Sequence, residues 1–391
     1  KTEALAVHGL MSDADVIQRV FDHIDNNTTD LADRVWREPV TSYLSDKNFA
    51  DELEVFRRLP TVFCPSAALP KTGSYVARSA AGVPIVAVRG DDGRVRAFYN
   101  ACRHRGMMVA EGMGKVGAFV CRYHAWAYGL DGRLKNVPGD QGFPDLNRDA
   151  HNLISVRADE RGGLVFVTQK EPLSEGAMAA VPDLLSPDQE LFDFVQMHDP
   201  ANWKLVVESA MEGYHIKALH PKSFYPYGFD NLNVVETYGP NSRLVFPFRR
   251  VEKLRDIAPE DRRPDGMLTY VYHLFPNARV SMLSNHHQLI IIEPEAPDRV
   301  RWDFFRLTPP ARDGKPADKA GIAKDADFVK ETGLVEDREA ACSIQAGLAT
   351  AANTHFTFGR YEKSAVHFHE HLDANLAQLR QGAYEDSRSE S

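Results

Sequence analysis

A chain of 391 residues is long enough for two or three compact units, and its 55 acidic against 46 basic side chains, net −9, argue against a nucleic-acid backbone as partner. No run of about 18 apolar residues occurs, so no membrane span is expected; the longest aliphatic cluster, Leu289 to Ile292, is strand-sized. Four widely spaced cysteines are no disulfide framework, and the Ala4–Val7 apolar patch is too short for a signal peptide, so a cytoplasmic protein is expected.

Residues 1–50 carry Val16, Val20, Ile24, Leu31 and Val35 at near-helical spacing, which predicts a helical arm. From Phe63 the texture turns to short β-rich runs, Val83–Val88 and Val95–Phe98, joined by a hairpin connection at Gly90-Asp-Asp-Gly93. Pro84 cannot donate to a ladder and belongs at a strand start or an edge. Strand-like segments continue to Gly163–Val167, which bounds a small β unit at 51–168. The connection Pro172–Pro187 leads into a second unit, 169–383. There Val280–Ile292 and Val300–Leu307 read as strands and Lys324–Leu348 as a long helix, followed by a polar tail at 384–391.

Two loops in the first unit carry its chemistry: Cys102-Arg-His104 and Cys121-Arg-Tyr-His124. Each offers one thiolate and one imidazole, whereas a structural zinc finger groups its cysteines and its histidines separately. Two thiolates on one iron and two imidazoles on the other are what a Rieske [2Fe–2S] centre requires. The pair, with sixteen residues between His104 and Cys121, resembles the Rieske domain pattern Cys-x-His-x15-17-Cys-x2-His. Arg105-Gly106 and the Tyr128–Gly132 run fit the resemblance too, while Ala125 departs from the glycine usual after the second histidine. With Cys102 and Cys121 in a cluster only Cys64 and Cys342 remain, too few for a fused plant-type ferredoxin, so electrons must come from a separate protein.

The second unit opens with Asn202–Pro221. On one helix Glu208, Glu212 and His215 share a face, whereas His220 lies about 140° from His215, so both imidazoles reach one metal only if the helix bends or unwinds. Pro221 favours an end at His220. Glu212-x-Tyr-His215-x4-His220 downstream of the Cys/His loops resembles the mononuclear iron site of the Rieske non-haem iron oxygenases, a two-histidine, one-carboxylate triad. The resemblance implies His215 and His220 as iron ligands. It makes Glu212, where the family more often has Asp, the link between the iron and His124 of a neighbouring copy. For the carboxylate, Leu334, Asp337, Ala341, Ile344 and Leu348 form one helical stripe, and an inward Asp337 needs a partner. Asp337 is preferred, with Glu336 as fallback.

The implied fold is α+β: a small all-β [2Fe–2S] domain, then an antiparallel sheet with helices of the helix-grip, START-like kind. The implied activity is that of a terminal oxygenase which activates dioxygen at Fe(II) and mono- or dihydroxylates an aromatic or other small hydrophobic substrate. Phe224, Tyr227, Phe248 and Met282 are the expected pocket wall. Aromatic rings also suit a quaternary ammonium by cation–π attraction, so oxidative demethylation or monooxygenation of such a compound is the alternative; a Rieske electron-transfer protein is the alternative of another class. Expected partners are a ferredoxin or NAD(P)H-dependent reductase and further copies in a homotrimer, with or without a β subunit. Arg103, Arg105, Lys115 and Arg122 are either a docking rim for an acidic donor or a solvated edge. Tyr123 and Trp126 are expected to shield the cluster. His286-His287 and His367, His369 and His371 could suggest another metal site but read as solvated or structural.

Overall fold

The computed structural model describes residues 9–311, 320–324 and 333–389. Helix α1, Asp13–Asn26, is capped by the Ser12 side chain, buries Val16, Ile17, Val20 and Phe21, and ends at Asn27 in the left-handed region at φ 49°. The helical arm expected over 1–50 is broken after α1: Leu31 and Val35 are 41% and 51% exposed, so they form no buried stripe. Strand β1 (Trp36–Pro39), α2 (Thr41–Leu44) and α3 (Asp46–Arg57) follow instead, and the expected boundary at residue 50 falls inside α3.

The first sheet begins with β2 (Thr61–Pro65), β3 (Ser74–Ala80), β4 (Val83–Arg89), β5 (Val95–Tyr99) and β6 (Gly112–Lys115). A three-stranded tip follows, β7 (Phe119–Val120), β8 (Ala127–Tyr128) and β9 (Leu134–Asn136). The chain then returns through β10 (Ser155–Arg161) and β11 (Leu164–Thr168). The strand order is β2-β11-β10-β5-β4-β3-β6. The β4–β5 hairpin forms at the Gly90–Gly93 connection, with Gly93 at φ 77° and the Gly90 N–H donating to the Arg94 carbonyl at 2.8 Å. Pro84 stands near the start of β4. The segment expected as a connection, 172–187, is packed down, burying Ala177, Val181, Leu184 and Leu185.

The second sheet is antiparallel, with order β12-β18-β17-β16-β15-β14-β13. Its strands are β12 (Leu191–Asp199), β13 (Val234–Tyr238), β14 (Asn241–Pro247), β15 (Leu268–Leu274), β16 (Ala278–Met282), β17 (His287–Ala296) and β18 (Arg299–Leu307). The strand expected over Val280–Ile292 is two strands of a hairpin: Leu283 N–H donates to the His286 carbonyl at 3.0 Å and turns the chain. Helices α4 (Trp203–Ser209) and α5 (Ile216–Leu219) lie between β12 and β13. After β18 come a helix at Gly333–Leu348, β19 (His355–Phe358), which pairs with β1, and a C-terminal helix at Lys363–Ser389. Of the helix expected over 324–348, residues 325–332 and the side chain of Leu334 lie outside the described residues. Along the rest, Ala341 and Leu348 are buried but Ile344 is 45% exposed, so the expected stripe is only partly inward.

Alternation gives the second sheet two apolar faces. Val280, Leu289, Ile291 and Phe305 pack against Val62, Phe63, Ile85 and Phe166 of the first sheet. Ile290, Ile292 and Phe304 pack against Trp203 and Val206 of α4 and Phe368 of the C-terminal helix. The two sheets are also joined by charge: Arg78 on β3 is buried and pairs with Glu293 on β17 and Asp303 on β18, both at 2.8 Å. This stack places the Cys/His loops at the far tip of the first unit, and Asn202–Pro221 over the helix face of the second.

Candidate active site

The two tip loops fold alike. Cys102 accepts the Gly106 N–H at 2.8 Å and Cys121 accepts the Ala125 N–H at 2.9 Å, so each cysteine starts a tight turn closed four residues on. Both closing residues have positive φ, 78° at Gly106 and 57° at Ala125. The turn explains the glycine of the pattern; at 125 an L-residue takes it with some strain. The thiols of Cys102 and Cys121 are buried and unpaired by any disulfide, and the His104 and His124 rings meet edge to face at 4.6 Å. Trp126 stacks on His104 at 4.9 Å and is itself buried. Tyr123 lies against His124 at 3.8 Å but is 53% exposed, under the Arg105 guanidinium, so of the two expected shields only Trp126 encloses the loops.

Two contacts here were not read from sequence. Phe143 meets the His104 ring edge-on at 5.7 Å, and the Tyr128 hydroxyl lies 3.2 Å from Cys102 Sγ while accepting the Arg103 N–H at 2.9 Å. Burial and the Cys102 contact push the Tyr128 hydroxyl up, so it stays a donor toward sulfur. Two buried thiols with a phenol donor and two imidazoles at the rim fit a cluster needing two sulfur and two nitrogen ligands. Of the basic rim, Arg122 pairs with Glu111, while Arg103, Arg105 and Lys115 add no built site.

The second centre is made where a helix breaks. α4 ends at Ser209 and α5 begins at Ile216, so Glu208, Glu212 and His215 do not share one helical face as a continuous helix would give. Glu208 turns away into a buried network, accepting from the Tyr43 hydroxyl at 2.7 Å and meeting His369 Nε2 at 2.9 Å. Gly213 sits at the break with no room for a side chain, an added Cβ falling 2.3 Å from Asn233 Oδ1. Glu212 then accepts the His215 N–H at 3.1 Å and also meets His215 Nδ1.

That contact turns His215 Nε2 toward Asp337 Oδ1, 3.5 Å away, while His220 Nε2 reaches the same oxygen at 3.0 Å. One ligand atom from each of His215, His220 and Asp337 can be chosen within 4.8 Å of the others. Glu336 plays a different part, which the sequence left open: its Oε2 meets His220 Nδ1 at 2.6 Å and accepts from the Ser223 hydroxyl at 2.5 Å. Each imidazole therefore has a carboxylate behind it, Glu212 for His215 and Glu336 for His220, which is how metal-ligating histidines are oriented.

Burial works against charge on His215, yet Asp337 and Glu212 outweigh it and raise its pKa to about 10; His220 is raised in the same way. Burial also opposes charge on Asp337, but the two imidazoles hold its carboxyl below the usual range. The pocket thus demands positive charge, which protons supply here and a divalent ion would supply better, so the donor set fits a facial metal site.

The expected pocket wall is only partly assembled. Phe224 lies over His220 at 4.9 Å. Tyr227 is 57% exposed, and the Phe248 ring is covered by the Arg250 guanidinium at 4.7 Å. Met282 is on the wrong face: β16 points Ala278, Val280 and Met282 toward the first sheet, and Met282 borders a cleft of about 1500 Å³ with Ser66, Leu69 and Lys71. Arg279 and Ser281 alternate onto the helix face instead. There Val235, Leu244 and Val271, with Phe246, form an apolar patch separate from both large cores.

Comparison with known proteins matches both units. Residues 60–147 fit the Rieske [2Fe-2S] domain and 193–378 the ring hydroxylating alpha subunit (catalytic domain). The glycine betaine monooxygenase oxygenase subunit of Chromohalobacter salexigens is 36% identical over 194 residues, 47% of this chain and 43% of that one. The anthranilate 1,2-dioxygenase large subunit of Burkholderia cepacia is 24% identical over 370 residues, 81% of this chain and 85% of that one. The crystal structure of a quaternary ammonium Rieske monooxygenase with substrate L-carnitine superposes with a TM-score of 0.72 at 20% identity, over 95% of this chain and 99% of that one. The chain spans about half the length of the curated relatives that it matches at 30% identity or more. With the two domains matched in tandem and in the order of the two centres, the chain belongs to the Rieske ring-hydroxylating oxygenase family.

Proposed function

We propose that the chain is the terminal oxygenase component of a Rieske system. In this reading Cys102, His104, Cys121 and His124 hold a [2Fe–2S] cluster, and His215, His220 and Asp337 hold mononuclear Fe(II). The observation that carries it is the meeting of two imidazole Nε2 atoms on one Asp337 oxygen with a separate carboxylate behind each ring. When bound, the cluster supplies electrons singly and the iron supplies the place where dioxygen is activated against an organic substrate. The protein's own contribution is positional. Glu212 and Glu336 fix which nitrogen of each ring faces inward, Phe224 covers His220, and the Val235, Leu244 and Val271 patch offers an apolar surface on the helix face of the sheet.

Two substrate readings stand. Monooxygenation or demethylation of a quaternary ammonium compound is favoured by the glycine betaine relative; hydroxylation of an aromatic compound is supported by the anthranilate relative. Several rings of the Phe224–Phe229 loop are already engaged by cations, Arg249 lying over Tyr225 at 5.2 Å and Phe229 at 5.5 Å, so a cage there would have to displace them. Electrons would come from a ferredoxin or reductase in the cytoplasm. The exposed Tyr214 and Tyr361 pair beside Glu212, 5.4 Å between rings, supports docking of a neighbouring copy there, as in a trimer. Among the described residues no helix is long and apolar enough to cross a membrane.

The test is anaerobic iron and acid-labile sulfide analysis with EPR on the native protein and on His215→Ala. A Rieske signal in both, with one further iron lost only in the variant, is expected. Zinc without sulfide would overturn the proposal, and a cluster with no further iron in either protein would reduce the chain to an electron carrier.

A further inference from the structure

Neither the iron ligands nor the carboxylates behind them make a hydrogen bond to Arg279 among the described residues. Register puts it on the helix face of β16, opposite His273 on β15 and Ile290 on β17. His273 Nε2 in turn meets the carbonyl of Ala210, the first residue of the break that carries Glu212 and His215, at 2.8 Å. The Asp337 charge reaches the Arg279 guanidinium, and burial is deep enough to pull its pKa down to about 10, so it stays cationic at neutral pH. Its Nε is buried with no hydrogen-bond partner among the described residues, although the side chain keeps part of its surface accessible. One step along the strands, the same face carries Gln288, Ser281, Val271, Leu244 and Val235 in adjacent register, so polar and apolar side chains lie next to each other beside the guanidinium.

Leaving a buried charged donor unmade is costly, and a planar oxyanion is what a guanidinium edge holds best, through two parallel hydrogen bonds. We propose that Arg279 is a specificity-determining residue which binds a carboxylate of the substrate, while the Val235, Leu244 and Val271 patch takes the remainder of the molecule. This rests on the oxygenase reading above and narrows it: of quaternary ammonium or aromatic compounds, those bearing a carboxylate are the substrates.

The test uses the iron- and cluster-loaded full chain and calorimetric binding of glycine betaine, L-carnitine and anthranilate, each beside its own carboxamide. At least one acid is expected to bind, with its amide about 10- to 100-fold weaker. Arg279→Gln should remove that difference by weakening the acid alone, and Arg279→Lys should keep part of it, since an ammonium retains the charge but not the fork. Equal binding of acid and amide by the native protein, retention of the acid preference in Arg279→Gln, or no binding of any of the three acids would each overturn the assignment. The native comparison and Arg279→Lys decide the matter if Arg279→Gln does not fold. Iron and sulfide are assayed on the same samples, so a protein that takes up no mononuclear iron fails the oxygenase reading, whereas a loaded protein without acid preference fails only the role of Arg279.

Discussion

At the residue scale the adjacent acids Glu336 and Asp337 show what sequence spacing can and cannot resolve. Both belong to one helical turn, and a preference for Asp337 rested on a stripe whose first member lies outside the described side chains. Atomic placement separates them, because Asp337 faces two Nε2 atoms and Glu336 faces one Nδ1. Asp337→Ala is therefore expected to abolish stoichiometric iron binding, whereas Glu336→Gln weakens it by about 10- to 100-fold; titration against a chelator measures both. Ala125 gives a second prediction. Replacing it with glycine relieves the left-handed strain and should stabilise the tip by about 0.5–1 kcal/mol, read as a higher temperature of cluster bleaching. His273 gives a pH dependence. Burial first, then the Arg279 charge, lowers its pKa to about 3, below the ordinary value near 6.5. The unfolded chain then binds the proton that the folded chain refuses, so its contribution to stability is present above the ordinary value and is lost as pH falls toward about 3. The slope is about 1.4 kcal/mol per pH unit. Denaturant midpoints between pH 7 and 5 should fall less steeply in His273→Asn.

At the scale of elements, what was legible was whatever local spacing encodes. The Cys-x-His and Cys-x2-His loops, the β4–β5 hairpin and the first turns of α1 were read correctly because short turns and caps fix them. What was not legible depended on tertiary contact. The α4–α5 break needs the Asn233 side chain against Gly213, and the β16–β17 turn splits an apolar run that reads as one strand. Choosing pocket residues by apolarity selected Met282 and passed over Arg279, since period-two alternation sends them to opposite faces and composition does not say which face holds the site. Two substitutions separate the faces. Val271→Phe should raise KM several-fold or block turnover by filling the helix-face space, while Met282→Ala should leave KM unchanged and lower only thermal stability. Oxygen uptake with the identified substrate, alongside a melting curve, distinguishes them.

Across the whole molecule, the joint between the two sheets is an ionic core rather than a loose linker. Arg78 is buried with Glu293 and Asp303, and Arg301 adds a second cation to Asp303 at 2.9 Å. Arg78→Met leaves a carboxylate buried without its main partner and should cost about 3–5 kcal/mol. Denaturation followed through cluster absorbance and tryptophan fluorescence should show both signals moving together, because the Arg78 cluster lies between the units that report them.

The packing of α3 alters what counts as a unit. Val55 and Phe56 sit in the same core as Trp203 and Phe368, and β1 pairs with β19, so the segment before the iron–sulfur domain is structurally part of the domain after it. The Gln169 and Lys170 N–H groups both donate to the Arg57 carbonyl at 3.0 Å, which brings the entry and exit of the intervening 110 or so residues side by side. In topological terms the electron-delivering module is an insertion into a catalytic layer that is discontinuous in sequence. Cutting the chain at its apparent N-terminal boundary would strip α3 and β1 from the catalytic layer, whereas excising 61–168 and rejoining Pro60 to Gln169 would keep α3, β1 and Leu59 in that layer and remove only Ala81 from its buried helix-face core.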